Sequence, residues 1–540
     1  HVVLRAQPTC DVRPRAVSPA PIIISAQSEK ALRAIAGAYR EQLSSDESQL
    51  APIANSAAYT RDMLQRRAIV HSRSAPQALE ALDALANGRP HPDVTVGRAL
   101  SGNGAVLFTF SGNGSQWAGM GLDALEKDTI FARAIDQVDE ILAPLTGWST
   151  REALHSPDLA EMLKSARLAQ PLLFAIQVGV VEALAAQGLM PDLVVGHSVG
   201  EVAAAWCAGA LTLADAARVI DARSRAQELL RGAGGMAAMN VSPEDVLAAL
   251  ASAGSSCEGV EIAAYNAPSS VTICGPYPKL DAFLKNARAR RWAFRRLTVD
   301  YPYHHALLEP TREALLSELA ELAPRESKTV FVSSVTGNQL PGAELDADYW
   351  WRNARQPVQF APALLACLEH RPAVALEIGP APVLGGYITA AASEAGRSIK
   401  ALATLRREGS DRSHSPLVAV VADALAAGAR VDSKLYFGAR APSAVALPHY
   451  SWDRSTFKHL PSREAHSDFA LRRHPLLGAP IRLDETIFYN HIDVERFPWL
   501  ADHRAGGAVV VPGAAIVEIA LAAAREALGE GPIELRDCEI

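Results

Sequence analysis

Pro191-Asp192-Leu193-Val194-Val195-Gly196-His197-Ser198-Val199-Gly200-Glu201 reads as a short apolar strand, a tight turn with one hydroxyl at its tip, and the start of a helix. The helix is predicted over Val202 to Ala210, a stretch rich in alanine. A strand turning straight into a helix brings backbone against backbone, and a side chain at Gly196 or Gly200 would obstruct it. The strain holds the Ser198 hydroxyl clear of the sheet, and the first amides of the following helix are free to stabilise negative charge. This is the pattern of a nucleophile elbow in an α/β fold. A serine hydroxyl is a weak nucleophile at neutral pH, so a base and an oxyanion site must come from elsewhere in the chain.

Working outward, the chain of 540 residues exceeds one ordinary core, and typical domain sizes suggest about three or four domains. Apolar residues make up 49 % of the sequence, enough to bury such domains. The net charge of −7 is modest and no lysine or arginine block stands out, which argues against nucleic acid or an anionic membrane as partner. Cys10, Cys207, Cys257, Cys274, Cys367 and Cys538 form no C-x-x-C pair, so neither a disulfide framework nor a metal site is signalled. A reducing cytoplasm is the expected location. The opening His1-Val2-Val3-Leu4-Arg5 has no signal-peptide organisation and reads as a piece cut from a longer chain. The apolar tract Gly506 to Ala524 contains Pro512 and Glu518, so a buried strand, turn and helix is expected there and not a membrane span.

Strands are predicted at 22–25, 67–70 and 105–110, with helices from Ser28, over 78–87 and over 171–187. After the elbow come a helix over 213–231 and then strand, helix, strand, strand, helix and strand between Met236 and Val299. That β-α-β-β-α-β order marks a ferredoxin-like insert, expected to roof the elbow. A helix over 307–322, strands at 329–334 and 374–378 and a helix over 417–427 follow, with the core closing near Lys400.

The turn Ser111-Gly112-Asn113-Gly114-Ser115-Gln116 follows a strand, so its amides can face an anion or an oxyanion; no Gly-Lys-Ser/Thr follows to make a phosphate loop. Among fifteen histidines, His304 is the candidate base. It sits in Val299-Asp300-Tyr301-Pro302-Tyr303-His304-His305, where the chain leaves the insert and passes back over the core. The competing reading is a surface turn. With no obvious aspartate between serine and histidine, a dyad held by a backbone or amide oxygen is expected. Arg223 lies on the inner side of the helix after the elbow, where a buried guanidinium would offer a carboxylate a bidentate fork; Arg225 falls on another face. A solvated helix arginine is the alternative.

From Leu107 to about Ile399 the sequence resembles the malonyl-CoA:acyl carrier protein transacylase family, specifically the acyltransferase domain of a modular or iterative type I polyketide synthase. Gly196-His197-Ser198-Val199-Gly200-Glu201 matches that family's nucleophile motif, and Phe110 to Gln116 resembles its oxyanion loop. The resemblance implies that Ser198, activated by His304, attacks a malonyl-type coenzyme A thioester. It also implies that the amides of Asn113 and Val199 hold the oxyanion and that Arg223 pairs with the free carboxylate. Asn353 would then orient His304, with Gln116, His197 and Asn266 lining the pocket. No tightly bound cofactor or metal is implied; the substrates are acyl-CoA and the phosphopantetheine arm of an acyl carrier protein. Asn113 departs from the family's usual glutamine, which a contribution through the backbone N–H tolerates. Tyr301-Pro302-Tyr303-His304 departs from both His-Ala-Phe-His and Tyr-Ala-Ser-His, the family's malonyl and methylmalonyl patterns. Bulky Tyr303 should crowd an α-methyl group, so malonyl is the expected unit, methylmalonyl or another extender the alternative.

The flanks extend the resemblance: residues 1–20 to a ketosynthase tail, 21–100 to a ketosynthase–acyltransferase linker domain, 400–465 to a linker wrapping back over both. The acyltransferase is expected over 101–399 with its insert at about 232–300. Residues 466–540 resemble the first, partial hotdog of a dehydratase, where His503, Gly507 and Pro512 match an H-x-x-x-G-x-x-x-x-P motif. His503 would be the base, but its acidic partner belongs to the second hotdog, so no dehydration is expected. Neighbouring ketosynthase and dehydratase domains are the expected partners. A serine esterase or an inactive scaffold domain remains the alternative function.

Overall fold

The computed structural model describes residues 20–100, 102–407, 415–454, 473–480 and 486–538. The chain forms two compact units, one up to Asp453 and one from Arg454. The expected ketosynthase tail lies outside the described residues apart from Ala20.

The first module is an antiparallel sheet, β1 (Ile22–Ala26), β2 (Arg66–Val70) and β3 (Val94–Arg98), with β2 central. The helix Glu29–Ser45 starts where Ser28 Oγ accepts the Ala31 N–H at 3.2 Å, the capping that its sequence predicts. β3 and the helix Leu50–Thr60 were not expected. β3 holds Gly97 and the polar Thr95 and Arg98, and pairing to β2, not apolar patterning, makes it a strand. The module belongs to the same unit as the core because residues 415–454 bind back onto it. Arg67 Nη1 donates to the Leu425 carbonyl at 2.7 Å, Leu100 N to Ala427 O at 2.9 Å, and Arg61 Nη2 to Pro448 O at 2.8 Å.

The core is a five-stranded, wholly parallel sheet of β4 (Val106–Phe110), β5 (Leu193–Gly196), β10 (Val330–Val332), β11 (Val374–Ile378) and β12 (Lys400–Ala403), ordered β10-β5-β4-β11-β12. β4, β5 and β11 are buried along their whole length, as continuous apolar runs covered on both faces must be. β12, not expected, closes the edge, so the sheet ends at Ala403. The helix Ala166–Ala186 is apolar enough to cross a membrane, yet 89 % of its apolar window is buried inside the protein. The predicted helix over 307–322 divides into a 3-10 turn, Ala306–Thr311, and a helix, Arg312–Glu318, because Pro310 removes a donor at the junction.

Between the elbow and β10 lies the insert: β6 (Gly235–Met239), β7 (Glu261–Ala267), β8 (Ser270–Gly275) and β9 (Phe294–Arg296) in antiparallel order β7-β8-β6-β9. This is the ferredoxin-like arrangement expected. Its far end carries a basic block that the whole-chain charge concealed. Lys285, Arg288, Arg290, Arg291, Arg295 and Arg296 are all exposed, with Arg288, Arg290 and Arg296 over the rings of Phe294, Trp292 and Tyr277. The reading that no such block exists is therefore corrected.

In the second unit, the hairpin of Arg504–Ala505 with Ala508–Val509 turns on Gly506 and Gly507 at φ 58° and 85°, and the helix Gly513–Leu528 follows Pro512. Strand, turn and helix are thus present, but the expected burial is not: Val509, Val510, Val511 and Ile516 are 36–41 % exposed. Among the described residues no larger sheet wraps this helix as a hotdog would.

Candidate active site

The elbow forms because its two glycines sit against backbone. A Cβ at Gly196 would run into the backbone of Glu201, and one at Gly200 into the carbonyl oxygens of Phe110 and, at 2.6 Å, Ser111. The His197 N–H donates to Phe110 O at 2.8 Å, tying the turn to the end of β4. Ser198 then takes φ 55°, left-handed backbone that a non-glycine residue holds only when its surroundings dictate it.

From that position Ser198 Oγ lies 2.7 Å from His304 Nε2 and 3.1 Å from Arg223 Nη2. The three side chains come from the elbow, the chain leaving the insert and the helix Leu213–Glu228, and all are buried. His304 Nδ1 lies 2.8 Å from the carbonyl of Gln356, which can only accept. The proton therefore sits on Nδ1, and Nε2 presents a lone pair to the serine O–H. Burial, then the nearby Arg223 charge, hold the imidazole down to about 3, so it is neutral at neutral pH with its Nε2 lone pair free. His304 itself adopts φ 62°.

Arg223 is 1 % exposed and largely committed. Nε donates to Asn353 Oδ1 at 3.1 Å, Nη1 to Gln170 Oε1 at 2.7 Å and Gln227 Oε1 at 3.0 Å. The open bidentate fork expected is thus replaced by one free edge, Nη2, facing the serine. Burial lowers Arg223 to about 10, still well above neutral pH, so the cation persists.

Asn353 corrects an expectation. It does not orient His304; the Gln356 carbonyl does. Its Nδ2 donates to Ser198 O at 3.2 Å and Glu201 Oε2 at 2.5 Å. Helix Ala347–Arg355 ends just before Gln356, so its last turn brings the Asn353 amide to the elbow and leaves the Gln356 carbonyl to the imidazole. Asn113 and Val199 flank the elbow in the two adjoining turns, and among the described hydrogen bonds none uses either N–H. Gln116 spends its amide on the loop: Nε2 on Asn113 Oδ1 at 3.1 Å and Ala169 O at 3.3 Å, Oε1 on Gly114 N at 2.8 Å. It shapes the loop that carries Asn113 and is not a free pocket donor.

His197 Nε2 and Asn266 Oδ1 meet at 2.8 Å, joining the elbow to β7 of the insert, and burial lowers the His197 pKa. Tyr301 and Tyr303 stack at 5.0 Å and 11°. The Tyr301 hydroxyl donates to Glu228 Oε2 at 2.8 Å; burial raises both phenols, and Tyr303 feels the Arg223 charge. Glu201, Gln170, Gln227 and Gln356 were not anticipated. Gln170 and Gln177, two turns apart and the polar residues on the otherwise apolar buried face of that helix, and Gln227, one turn after Arg223, were the available signals.

His503 is exposed, with Nδ1 3.0 Å from Val510 O, and no described carboxylate bonds to it. No group of three metal-ligating side chains occurs among the described residues.

The Acyl transferase domain family matches residues 107–429, and the Polyketide synthase dehydratase domain family matches residues 474–540. The chain is 38 % identical to "Polyketide synthase GfsB" of Streptomyces halstedii over 96 % of its own length and 9 % of that protein's. It is 37 % identical to "Spectinabilin polyketide synthase system protein NorA'" of Streptomyces orinoci over 97 % of its length and 15 % of that protein's. The chain therefore spans about a tenth to a seventh of these relatives. Among solved structures, the acyltransferase domain from module 8 of the salinomycin polyketide synthase superposes with a TM-score of 0.70 at 33 % identity. That match covers 77 % of this chain and 97 % of that one.

Proposed function

Because the chain belongs to the acyl transferase domain family of type I polyketide synthases, we propose that it loads a malonyl-type extender unit from acyl-CoA, through a Ser198 ester, onto the phosphopantetheine thiol of an acyl carrier protein. The observation that carries this reading is one hydroxyl lying between a neutral imidazole at 2.7 Å and a buried guanidinium at 3.1 Å. The cation favours a thioester bearing a free carboxylate over an uncharged ester, which separates the reading from a simple hydrolase.

His304 Nε2 accepts the Ser198 proton as Oγ attacks the thioester carbonyl. The N–H groups of Asn113 and Val199 hold the tetrahedral oxyanion. The imidazolium returns its proton to the departing coenzyme A sulfur, leaving the Ser198 ester. The carrier thiol then gives its proton to His304 and attacks that ester, the imidazolium returns the proton to the departing Ser198 Oγ, and the two substrates alternate. Acceptor carrier, ketosynthase and dehydratase neighbours belong to the parent synthase in this reading. Tyr303, stacked on Tyr301 beside Arg223, restricts room for an α-substituent and favours malonyl. Such a preference is worth only about 1–3 kcal/mol per methyl group.

Intact mass of the protein after exposure to malonyl-, methylmalonyl- and ethylmalonyl-CoA together tests the proposal. The expected adduct is one malonyl group, absent in Ser198→Ala. An adduct retained in that variant would remove Ser198 from the mechanism; a predominant methylmalonyl adduct would overturn the preference.

A further inference from the structure

Glu201 lies three residues after the nucleophile, in the first turn of the helix Gly200–Cys207, and is fully buried. Such a carboxylate is costly unless every lone pair has a donor. Here Oε1 accepts the Ser334 N–H at 2.6 Å and Oε2 accepts Asn353 Nδ2 at 2.5 Å; burial raises the Glu201 pKa to about 7, and these donors together with the Tyr349 hydroxyl oppose that rise, so the carboxylate form prevails above that pH. Nothing in the reaction described above uses it.

Its consequence follows from an inventory of donors. A side-chain amide has a donating and an accepting end, and which way it faces is set by its neighbours. Asn353 has three partners: the Glu201 carboxylate and the Ser198 carbonyl on one side, Arg223 Nε–H on the other. The first two accept, so Nδ2 must face them. Oδ1 then faces Arg223, whose Nε donates to it. With Nε held by Asn353 and Nη1 by Gln170 and Gln227, the only guanidinium edge left open is Nη2, beside Ser198 Oγ. Reversing the Asn353 amide would set its NH2 group against Arg223 Nε–H.

We propose that Glu201 is the positioning residue for substrate-carboxylate recognition: by fixing the Asn353 amide it aims Nη2 of Arg223 at the acyl group on Ser198. Glu201 touches no reacting atom and acts through one relay. The inference rests on the proposed reading that Arg223 binds the free carboxylate of a malonyl-type unit.

The test is the loading of Glu201→Gln, Asn353→Ala and the double variant with malonyl-CoA and acetyl-CoA, measured as kcat and KM by coenzyme A release, with each melting temperature recorded. A glutamine at 201 must turn its NH2 toward Ser334 N–H or toward the Asn353 amide, so one contact becomes a clash of donors. The expected result is a malonyl-to-acetyl ratio of kcat/KM at least tenfold lower, mainly through KM for malonyl-CoA. The double variant should be no worse than Asn353→Ala alone. Equal loss for both thioesters, or additive losses in the double variant, overturns the relay. Should Glu201→Gln not fold, Asn353→Ala leaves the Glu201–Ser334 contact in place and must show the same loss of ratio; an unchanged ratio there overturns the inference. A wild-type protein that loads no malonyl group refutes the functional reading itself, whereas normal wild-type loading with unchanged variant ratios refutes the positioning role alone.

Discussion

Replacing Arg223 by alanine exposes the division of labour in this site most directly. The guanidinium makes four hydrogen bonds, to Asn353, Gln170, Gln227 and Ser198, in a fully enclosed position. Without it a malonyl carboxylate would enter with no counter-charge, and losing one partner of a buried charge pair costs about 2–5 kcal/mol. At about 1.4 kcal/mol per factor of ten, kcat/KM for malonyl loading should fall by about 30- to 4,000-fold. Acetyl loading should not follow, because the lost partner binds a group acetyl lacks. The variant leaves the amide oxygens of Asn353 and Gln170 without that donor, while Gln227 Oε1 keeps Gln170 Nε2 at 2.7 Å, and each buried orphan costs about 1–3 kcal/mol. Kinetics should therefore be read below its melting temperature, by stopped-flow coenzyme A release with both thioesters. A fall by the same factor for malonyl and acetyl would refute the reasoning and return Arg223 to a packing role.

Gly200→Ala should cost about 3 kcal/mol in denaturant unfolding and abolish loading, because its methyl group meets the carbonyls of Phe110 and Ser111; Gly386→Ala, with open space around it, should not destabilise. A Gly200 variant of native stability would overturn the close-approach argument. For pH, His304 is held down to about 3 from an ordinary 6.5, so its contribution is fully present above 6.5 and lost as pH falls toward 3, where the unfolded chain takes a proton the folded one refuses. Relative to His304→Asn, the wild type should lose stability on acidification with a slope approaching about 1.4 kcal/mol per pH unit; parallel curves would mean the imidazole is not desolvated.

The convergence of Ser198, His304 and Arg223 was legible because each sits where local pattern and chain path coincide: a glycine-flanked serine after an apolar run, a histidine at the exit of an insert, an arginine on the inner face of the next helix. The alternation of elements also revealed the insert. The polar partners that hold these groups were not legible. Gln356 acts through a backbone carbonyl, which no side-chain pattern can announce. Asn353 was assigned to His304 from family position alone, and only the geometry shows its amide serving the Ser198 carbonyl and Glu201. The strands β3 and β12 are edge or partly polar segments whose identity comes from pairing, not from alternation. The basic block from Lys285 to Arg296 was overlooked because a whole-chain charge averages it away.

The geometry also accounts for how one cation can serve both recognition and chemistry. In the free site burial opposes proton uptake by His304 most, the Arg223 charge second, and His197 and Arg355 add to it. The serine proton must go to that imidazole, so an unneutralised Arg223 beside Ser198 works against the transfer even as it donates to Oγ at 3.1 Å. Under the proposed function, a carboxylate paired with Nη2 would offset the Arg223 charge as the thioester reaches the nucleophile, making the imidazole a stronger base when a dicarboxylate half thioester is present. An acyl group without that charge leaves the repulsion in place. Under the proposed function, selection for the charged unit would therefore be expressed in the chemical step as well as in binding, a stronger discrimination than the pocket's contacts alone would provide.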